Sequence, residues 1–179
     1  MPLTKPLKDR ILVLKQEYDA LSKGKESLLK ILKEAEIPKN VYNSNAIENS
    51  TLTLKETEKI LLGMKVPRDV SLKEVFEAKN LAKVIEYLHR KDINTKIDKE
   101  LILLLHKMLI GNIDDSIAGR FRSAREYVKI GYHIAPEPER IEPMIASLLS
   151  EYMNDSYFLD KIAKFHLKFE TIHPFNDGN

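Results

Sequence analysis

The chain has 179 residues, a formal net charge of +2, 43% hydrophobic residues and 31% charged residues. This composition is typical of a water-soluble globular protein that can bury a core. The small net charge gives no reason to expect nucleic acid or an anionic membrane as a partner. The sequence has no cysteine, which excludes disulfides, thiolate zinc sites and cysteine nucleophiles and favours a cytoplasmic location.

The N-terminal part has the pattern of amphipathic helices. Apolar residues recur in steps of three and four from Leu7 to Leu32, which predicts one long helix, weakened at Gly24 and ended by Pro38. Its apolar stripe either packs on the core of the chain or forms the seam of a homo-oligomer. Both alternatives stay open at this point.

Capping patterns predict the next three helices. Thr53 to Glu56 and Ser71 to Glu74 are capping boxes, and Gly63 is placed to end the first of these two helices. Asp98 is the predicted N-cap of a third helix, which ends at Gly111.

The C-terminal half changes character before it returns to helix. Residues 126–130 alternate between polar and apolar, and a glycine then allows a turn before residues 132–134, which predicts a small hairpin. Two helices follow, over residues 141–152 and about 157–172. The predicted fold is therefore mainly α with one β-hairpin.

The last eight residues carry the clearest chemical signal: Ile172-His173-Pro174-Phe175-Asn176-Asp177-Gly178-Asn179. Pro174 disfavours the α conformation in the residue before it, so the helix is expected to end at His173, whose imidazole titrates near neutral pH and suits a general base. Residues 176–179 are turn formers, and Gly178 allows close approach to an anion such as a phosphate. Asp177 offers a hard oxygen ligand for Mg²⁺. A simple helix stop and turn is the alternative interpretation.

This string resembles the opening of the Fic signature, H-P-F-x-D/E-G-N-G-R-x-x-R, over seven consecutive positions. Residues 98–179 are also similar to a Fic core in their order, from the helix with His106 to Gly119-Arg120-Phe121-Arg122 and then the strand with Val128. The resemblance implies a Fic-like helical bundle with a β-hairpin flap. It divides the chain into an N-terminal helical region, 1–95, and a Fic core, 96–179, that stops short of the family's C-terminal end.

The resemblance also implies a reaction, the transfer of AMP from ATP to a hydroxyl of a target protein. His173 is then the general base and Asp177 the Mg²⁺ ligand. Phe175, Gly178 and Asn179 are the expected ATP-binding residues: Gly178 and Asn179 bind the α-phosphate, and Phe175 anchors the loop in the core. The flap, residues 127–134, is expected to dock the target by β-augmentation.

A second motif lies upstream, at Tyr42-Asn43-Ser44-Asn45-Ala46-Ile47-Glu48-Asn49. It resembles the inhibitory motif of the family, [S/T]-x-x-x-E-[G/N], in which Ser44, Glu48 and Asn49 occupy the defined positions. Ser44 and Glu48 are four residues apart and share one face if the segment is helical. The resemblance implies that Glu48 pairs with the second arginine of the signature and blocks the γ-phosphate. The alternative is a polar surface turn.

The sequence departs from the family pattern because it ends at Asn179, before both arginines of the signature. Arginine is the residue best suited to bidentate phosphate binding. We therefore expect the 179-residue chain to be inactive by itself. A non-catalytic helical module that binds a protein or a nucleotide is the alternative function.

Overall fold

The structure, a computed structural model, describes residues 4–65, 69–91, 95–154 and 157–179. Within these ranges the chain forms seven α-helices, a short 3₁₀ helix at Pro138–Arg140 and one two-stranded sheet. The helices are α1 Lys5–Ser22, α2 Glu26–Ile47, α3 Leu54–Leu61, α4 Leu72–Arg90, α5 Lys99–Ile110, α6 Ile141–Asn154 and α7 Phe158–Ile172. Strands β1, Lys129–Ile130, and β2, His133–Ile134, are antiparallel, with Lys129 opposite Ile134 and Ile130 opposite His133. The predicted fold class, mainly α with a small hairpin, is confirmed.

The prediction of one long N-terminal helix is wrong in two respects. Gly24 adopts φ +73° and separates α1 from α2. Pro38 lies inside α2 instead of ending it. Proline removes one backbone hydrogen bond from a helix. Here that loss is offset by burial on either side, since Ile37 and Val41 are 7% and 0% exposed.

The chain forms two compact units, one up to Glu36 and one from Ile37 onward. In the first unit, α1 and the start of α2 bury no side chain over residues 4–36. Its apolar stripe is exposed, including Val13, Leu14, Tyr18, Leu21, Leu28, Ile31 and Leu32. The choice between core packing and a homo-oligomer seam therefore stays open, and the predicted domain boundary at residue 95 stays a prediction.

The second unit contains two hydrophobic clusters. One joins the end of α2 to α3 and α4, and its buried members are Ile37, Val41, Leu52, Ile60, Ala78 and Ala82. The other joins α5, α6, α7 and the loop that follows α7, and its buried members are Ile102, Ile141, Ile145, Leu148, Ile172 and Phe175. The buried amide of Asn80 links α4 to α5 by donating to the carbonyls of Leu109 and Gly111, at 2.9 and 2.7 Å. The loop after α7 is thus attached to a rigid core.

The capping predictions are confirmed by direct hydrogen bonds. Thr53 and Glu56 cap each other's backbone N–H groups, and Ser71 accepts from the N–H of Glu74. Asp98 accepts from the N–H of Leu101 at 2.9 Å. None of the helices in the described residues combines the length and apolar character needed to cross a membrane.

Candidate active site

Helix α7 ends where the sequence predicts. The N–H of His173 donates to the carbonyl of Phe169 at 2.9 Å, and His173 itself adopts left-handed backbone angles, φ 48° and ψ 65°. Pro174 disfavours the α conformation at this position. A non-glycine residue rarely keeps positive φ unless its surroundings hold it there. The chain therefore turns sharply at His173.

The hydrogen bonds of Asn179 determine which nitrogen of His173 carries the proton. The N–H of Phe175 donates to Asn179 Oδ1 at 2.8 Å, and Asn179 Nδ2 donates to the carbonyl of Phe175 at 3.1 Å, which fixes the orientation of the amide. The same Nδ2 lies 2.9 Å from His173 Nε2. Because an amide nitrogen only donates, Nε2 accepts and the proton of the neutral ring is on Nδ1. His173 thus has its lone pair on Nε2.

Burial lowers the pKa of His173, which favours the neutral imidazole at pH 7. Four charged or titratable groups modify this effect: Glu170 and Glu48 raise the pKa, whereas Arg122 and His133 lower it. These groups come from α7, from the segment after α2, from the chain before the hairpin and from β2. The imidazole therefore lies where these parts of the fold converge. Its Nδ1 atom is buried and has no hydrogen-bond partner in the described parts of the chain.

The segment of the predicted inhibitory motif is only partly helical. Helix α2 ends at Ile47, so Ser44 is in the helix whereas Glu48 is in the turn that follows. Both side chains are exposed. The charge of Glu48 is one of the lesser causes that act on the pKa of His173, so the carboxylate is within electrostatic reach of the imidazole. The inhibitory role of Ser44 and Glu48 stays a prediction.

Asn49 ends this helix by a Schellman arrangement. Its φ is +64°, its N–H donates to the carbonyl of Ala46 at 3.2 Å, and the N–H of Ser50 donates to the carbonyl of Asn45 at 3.0 Å. Glycine and asparagine are the residues that most readily adopt this left-handed position.

Phe175 and His106 attach the loop to α5. Phe175 is 2% exposed, and its ring stacks on that of His106 with centroids 3.7 Å apart and planes 7° apart. His106 Nδ1 accepts from the N–H of Gly119 at 2.9 Å, so its Nε2 donates to the carbonyl of Asp177, also at 2.9 Å. The side chain of Phe175 therefore belongs to the core. His106, expected from the sequence only as a residue of the Fic-like core, thus holds the backbone of the predicted metal ligand.

Gly178 packs directly on α5. Its φ is +73°, and a Cβ atom at this position would lie 2.6 Å from Ile110 Cδ1. The lack of a side chain at Gly178 therefore lets the loop pack closely on α5, and its predicted approach to a phosphate stays a prediction.

Replacement of Gly178 by alanine is expected to destabilise the protein more than replacement of Gly63. Both glycines have positive φ, but a Cβ on Gly63 would meet nothing within 4 Å. Both variants carry the left-handed strain of about 1–2 kcal/mol, whereas Gly178→Ala adds overpacking of roughly 1–3 kcal/mol. Urea denaturation of the two variants measures the difference. Equal losses of unfolding free energy would contradict the close contact with Ile110.

Asp177 has an exposed carboxylate with two partners. Its Oδ1 accepts from the N–H of Gly178 at 2.8 Å, and its Oδ2 lies 3.5 Å from Lys73 Nζ on α4. The charge of Asp177 is the main cause that raises the pKa of Lys73. The described residues contain no group of three or more metal-binding side chains. A single carboxylate fits Mg²⁺ where phosphates and water supply the other ligands. Lys73 is a neighbour that sequence analysis did not find.

Residues 120–126, which precede the hairpin, also contact the loop that follows α7. Arg120 donates from both Nη atoms to Glu126, at 2.7 and 2.8 Å. This bidentate contact is the main cause that holds the pKa of Glu126 far below its usual range, and the side chain of Asn176 adds a further hydrogen bond. Asn176 is thereby attached to residues 120–126.

The predicted flap lies beside the end of α7. Gly131 makes its turn at φ +56°, and Tyr132 at the tip is fully exposed. His133 Nε2 lies 3.1 Å from the carbonyl of Thr171, which places β2 near His173. Docking of a target on residues 127–134 stays a prediction.

Comparison with known proteins identifies the class. Residues 96–179 match the Fic/DOC family. The chain is 29% identical over 185 residues to protein adenylyltransferase Fic of Nematostella vectensis and 32% identical over 179 residues to that of Drosophila melanogaster. A crystal structure of a Fic family protein from Desulfovibrio desulfuricans has a TM-score of 0.79 and 26% sequence identity, and the match covers 99% of this chain. Residues 96–179 are therefore a Fic/DOC family domain.

The matched proteins are longer than this chain. The match covers 99% of the chain but 42% of the Nematostella protein, and 95% of the chain but 36% of the Drosophila protein. It covers 55% of the Desulfovibrio chain.

Proposed function

We propose that the protein, tested as a chain extended beyond Asn179 through the remaining positions of the Fic signature (called the full-length protein below), transfers AMP from ATP to a hydroxyl side chain of a target protein. The observation that carries this proposal is the neutral imidazole of His173, whose Nε2 lone pair lies beside the Asp177–Asn179 loop. The names of the relatives, protein adenylyltransferase Fic, support the same reaction.

In the proposed step, the oxygen of the target hydroxyl forms a bond to the α-phosphorus of ATP. The bond between that phosphorus and the bridging oxygen breaks, and pyrophosphate leaves. His173 Nε2 takes the hydroxyl proton, a contribution of roughly 10²–10⁴-fold for a positioned base. Since the amide of Asn179 now donates to Nε2, the hydroxyl has to replace this contact.

Asp177 is the residue that would hold Mg²⁺ together with the phosphates. The metal, when bound, neutralises charge on the phosphates and on the leaving pyrophosphate. The ion pair with Lys73 is exposed on both sides, so it is weak enough to open for a divalent cation. Gly178 and Asn179 are proposed to border the α-phosphate.

The flap is proposed to hold the target chain, because the two strands have free outer edges among the described residues and Tyr132 is exposed at their tip. The cytoplasm is the proposed location of the protein itself. The absence of cysteine from this chain supports that location.

The test uses the full-length protein with Mg²⁺, a cell lysate as a source of targets, and ATP labelled at either the α- or the γ-phosphate. Relative to the same lysate without the protein, whose kinases transfer γ-phosphate, we expect additional protein-bound label from α-labelled ATP only, and loss of this label in Asp177→Asn. Additional label from γ-labelled ATP would show phosphate transfer and contradict the proposal. ATP binding without any transfer would favour the non-catalytic module.

A further inference from the structure

Arg122 is a buried cation whose hydrogen bonds go to backbone carbonyls. It is 3% exposed. Its Nε donates to the carbonyl of His173 at 2.8 Å, its Nη1 to that of Glu126 at 2.7 Å and its Nη2 to that of Pro136 at 3.0 Å. Burial lowers the pKa of Arg122. An apolar side chain would avoid this desolvation but would leave these carbonyls without their donors.

These carbonyls, together with that of Ile172 at 3.5 Å from Nη2, belong either to the flap or to the end of α7 at His173, the two parts of the site that act together. Glu126 precedes β1 and Pro136 follows β2, so the two bonds attach both legs of the hairpin to one guanidinium. The third bond attaches the same group to the residue that carries the catalytic imidazole. The main-chain N–H of Arg122 adds a bond to the carbonyl of Pro174 at 2.9 Å. The planar fork of arginine holds several acceptors in a fixed geometry, which a lysine ammonium does not.

The bond to His173 also bears on its backbone conformation. His173 has positive φ, which a non-glycine residue keeps only where its surroundings hold it. A carbonyl fixed by a buried donor provides such a restraint, and the direction of the imidazole depends on it.

We propose that Arg122 is a positioning residue for the transfer reaction. Its side chain holds the flap in a fixed position relative to the general base, His173. The proposal rests on the proposed function, but its structural part can be tested without activity. Arg122 touches neither the nucleotide nor the target in this account. It acts through the backbone of His173 and through both legs of the flap.

The test compares Arg122→Met, Arg122→Lys and Arg140→Met in the full-length protein. Arg140 is exposed and serves as the charge-matched control. In Arg122→Met we expect flap amides 127–135 to exchange with deuterium at least about tenfold faster, since the loss of one hydrogen bond is already worth roughly that factor and two bonds to the flap are lost. The kcat/KM for transfer is expected to fall roughly 100-fold, as for a catalytic group displaced by about 1 Å. Arg140→Met is expected to match the wild type in both measurements.

Titration of His173 by NMR separates the charge of Arg122 from its geometry. Burial lowers the pKa of His173, Glu170 and Glu48 raise it, and Arg122 and His133 lower it. Loss of the cation in Arg122→Met should therefore raise the pKa, whereas Arg122→Lys keeps the charge and should leave the pKa near that of the wild type. The Lys variant should still exchange its flap amides faster, because a single ammonium cannot replace the fork.

Unchanged flap exchange in Arg122→Lys overturns the proposal, and this variant decides the case if Arg122→Met does not fold. An unchanged pKa of His173 in a folded Arg122→Met also overturns it. If the wild type transfers no AMP, the proposed function fails, whereas the exchange and titration results still decide the position of Arg122.

Discussion

Replacement of His173 by alanine in the full-length protein is expected to lower AMP transfer by roughly 10²–10⁴-fold, the contribution of a general base. The reason is structural. Asn179 leaves the lone pair of the ring on Nε2, and burial lowers the pKa so that the ring is neutral at pH 7. Transfer of α-phosphate label to protein, with ATP at saturation, measures the effect.

His166→Ala is the matched control, because His166 lies on the same helix with an exposed side chain. It is expected to keep wild-type activity. ATP binding should persist in His173→Ala, since the ring is assigned to proton transfer. Undiminished transfer by His173→Ala would show that the general-base assignment is wrong.

Replacement of Glu48 by glycine is expected to raise the transfer rate of the full-length protein by about tenfold or more. The family resemblance implies that Glu48 occupies an arginine of the signature, beyond Asn179, that the γ-phosphate needs. A charge-assisted pair of this kind contributes about 1.5–3 kcal/mol. The position of Glu48 supports this role, because its charge reaches the imidazole of His173.

The 179-residue chain provides the contrast for this prediction. It lacks the arginine, so Glu48→Gly is expected to leave its transfer activity unchanged, at background. The pKa of His173 should nevertheless fall in both lengths, because the carboxylate that raises it is lost. Activation of the short chain, or no activation of the long one, would exclude the inhibitory role. Glu86→Gln, an exposed change on α4, controls for charge alone.

The most accurate predictions from the sequence were those of helix ends, which depend on only a few neighbouring residues. The caps at Thr53 and Asp98 and the helix stop before Pro174 depend on local backbone chemistry, and all three are present. The continuation of α2 through Pro38 was not predictable in the same way, because it depends on the burial of Ile37 and Val41 against distant residues.

The candidate site shows the same limit. Its loop was recognisable as a string, but the residues that hold it come from far along the chain. Lys73 is 104 positions from Asp177, and His106 is 71 positions away. Sequence analysis named Arg122 only within the string Gly119-Arg120-Phe121-Arg122 and predicted none of its contacts. No local sequence pattern predicts these contacts with the loop, because only the packing of the folded chain brings the residues together.

The turn at Asn49 has a consequence for how the predicted inhibitory segment tolerates substitution. Its φ of +64° restricts this position mainly to glycine and asparagine, whatever chemistry the neighbouring carboxylate performs. In a saturation library at position 49, the variants would therefore differ according to how readily each residue adopts a positive φ. β-Branched residues would strain the turn and displace the carboxylate of Glu48 without removing its charge. Under the predicted inhibitory role of Glu48, such changes at position 49 are expected to raise AMP transfer as the loss of Glu48 does, with every proposed reacting group intact.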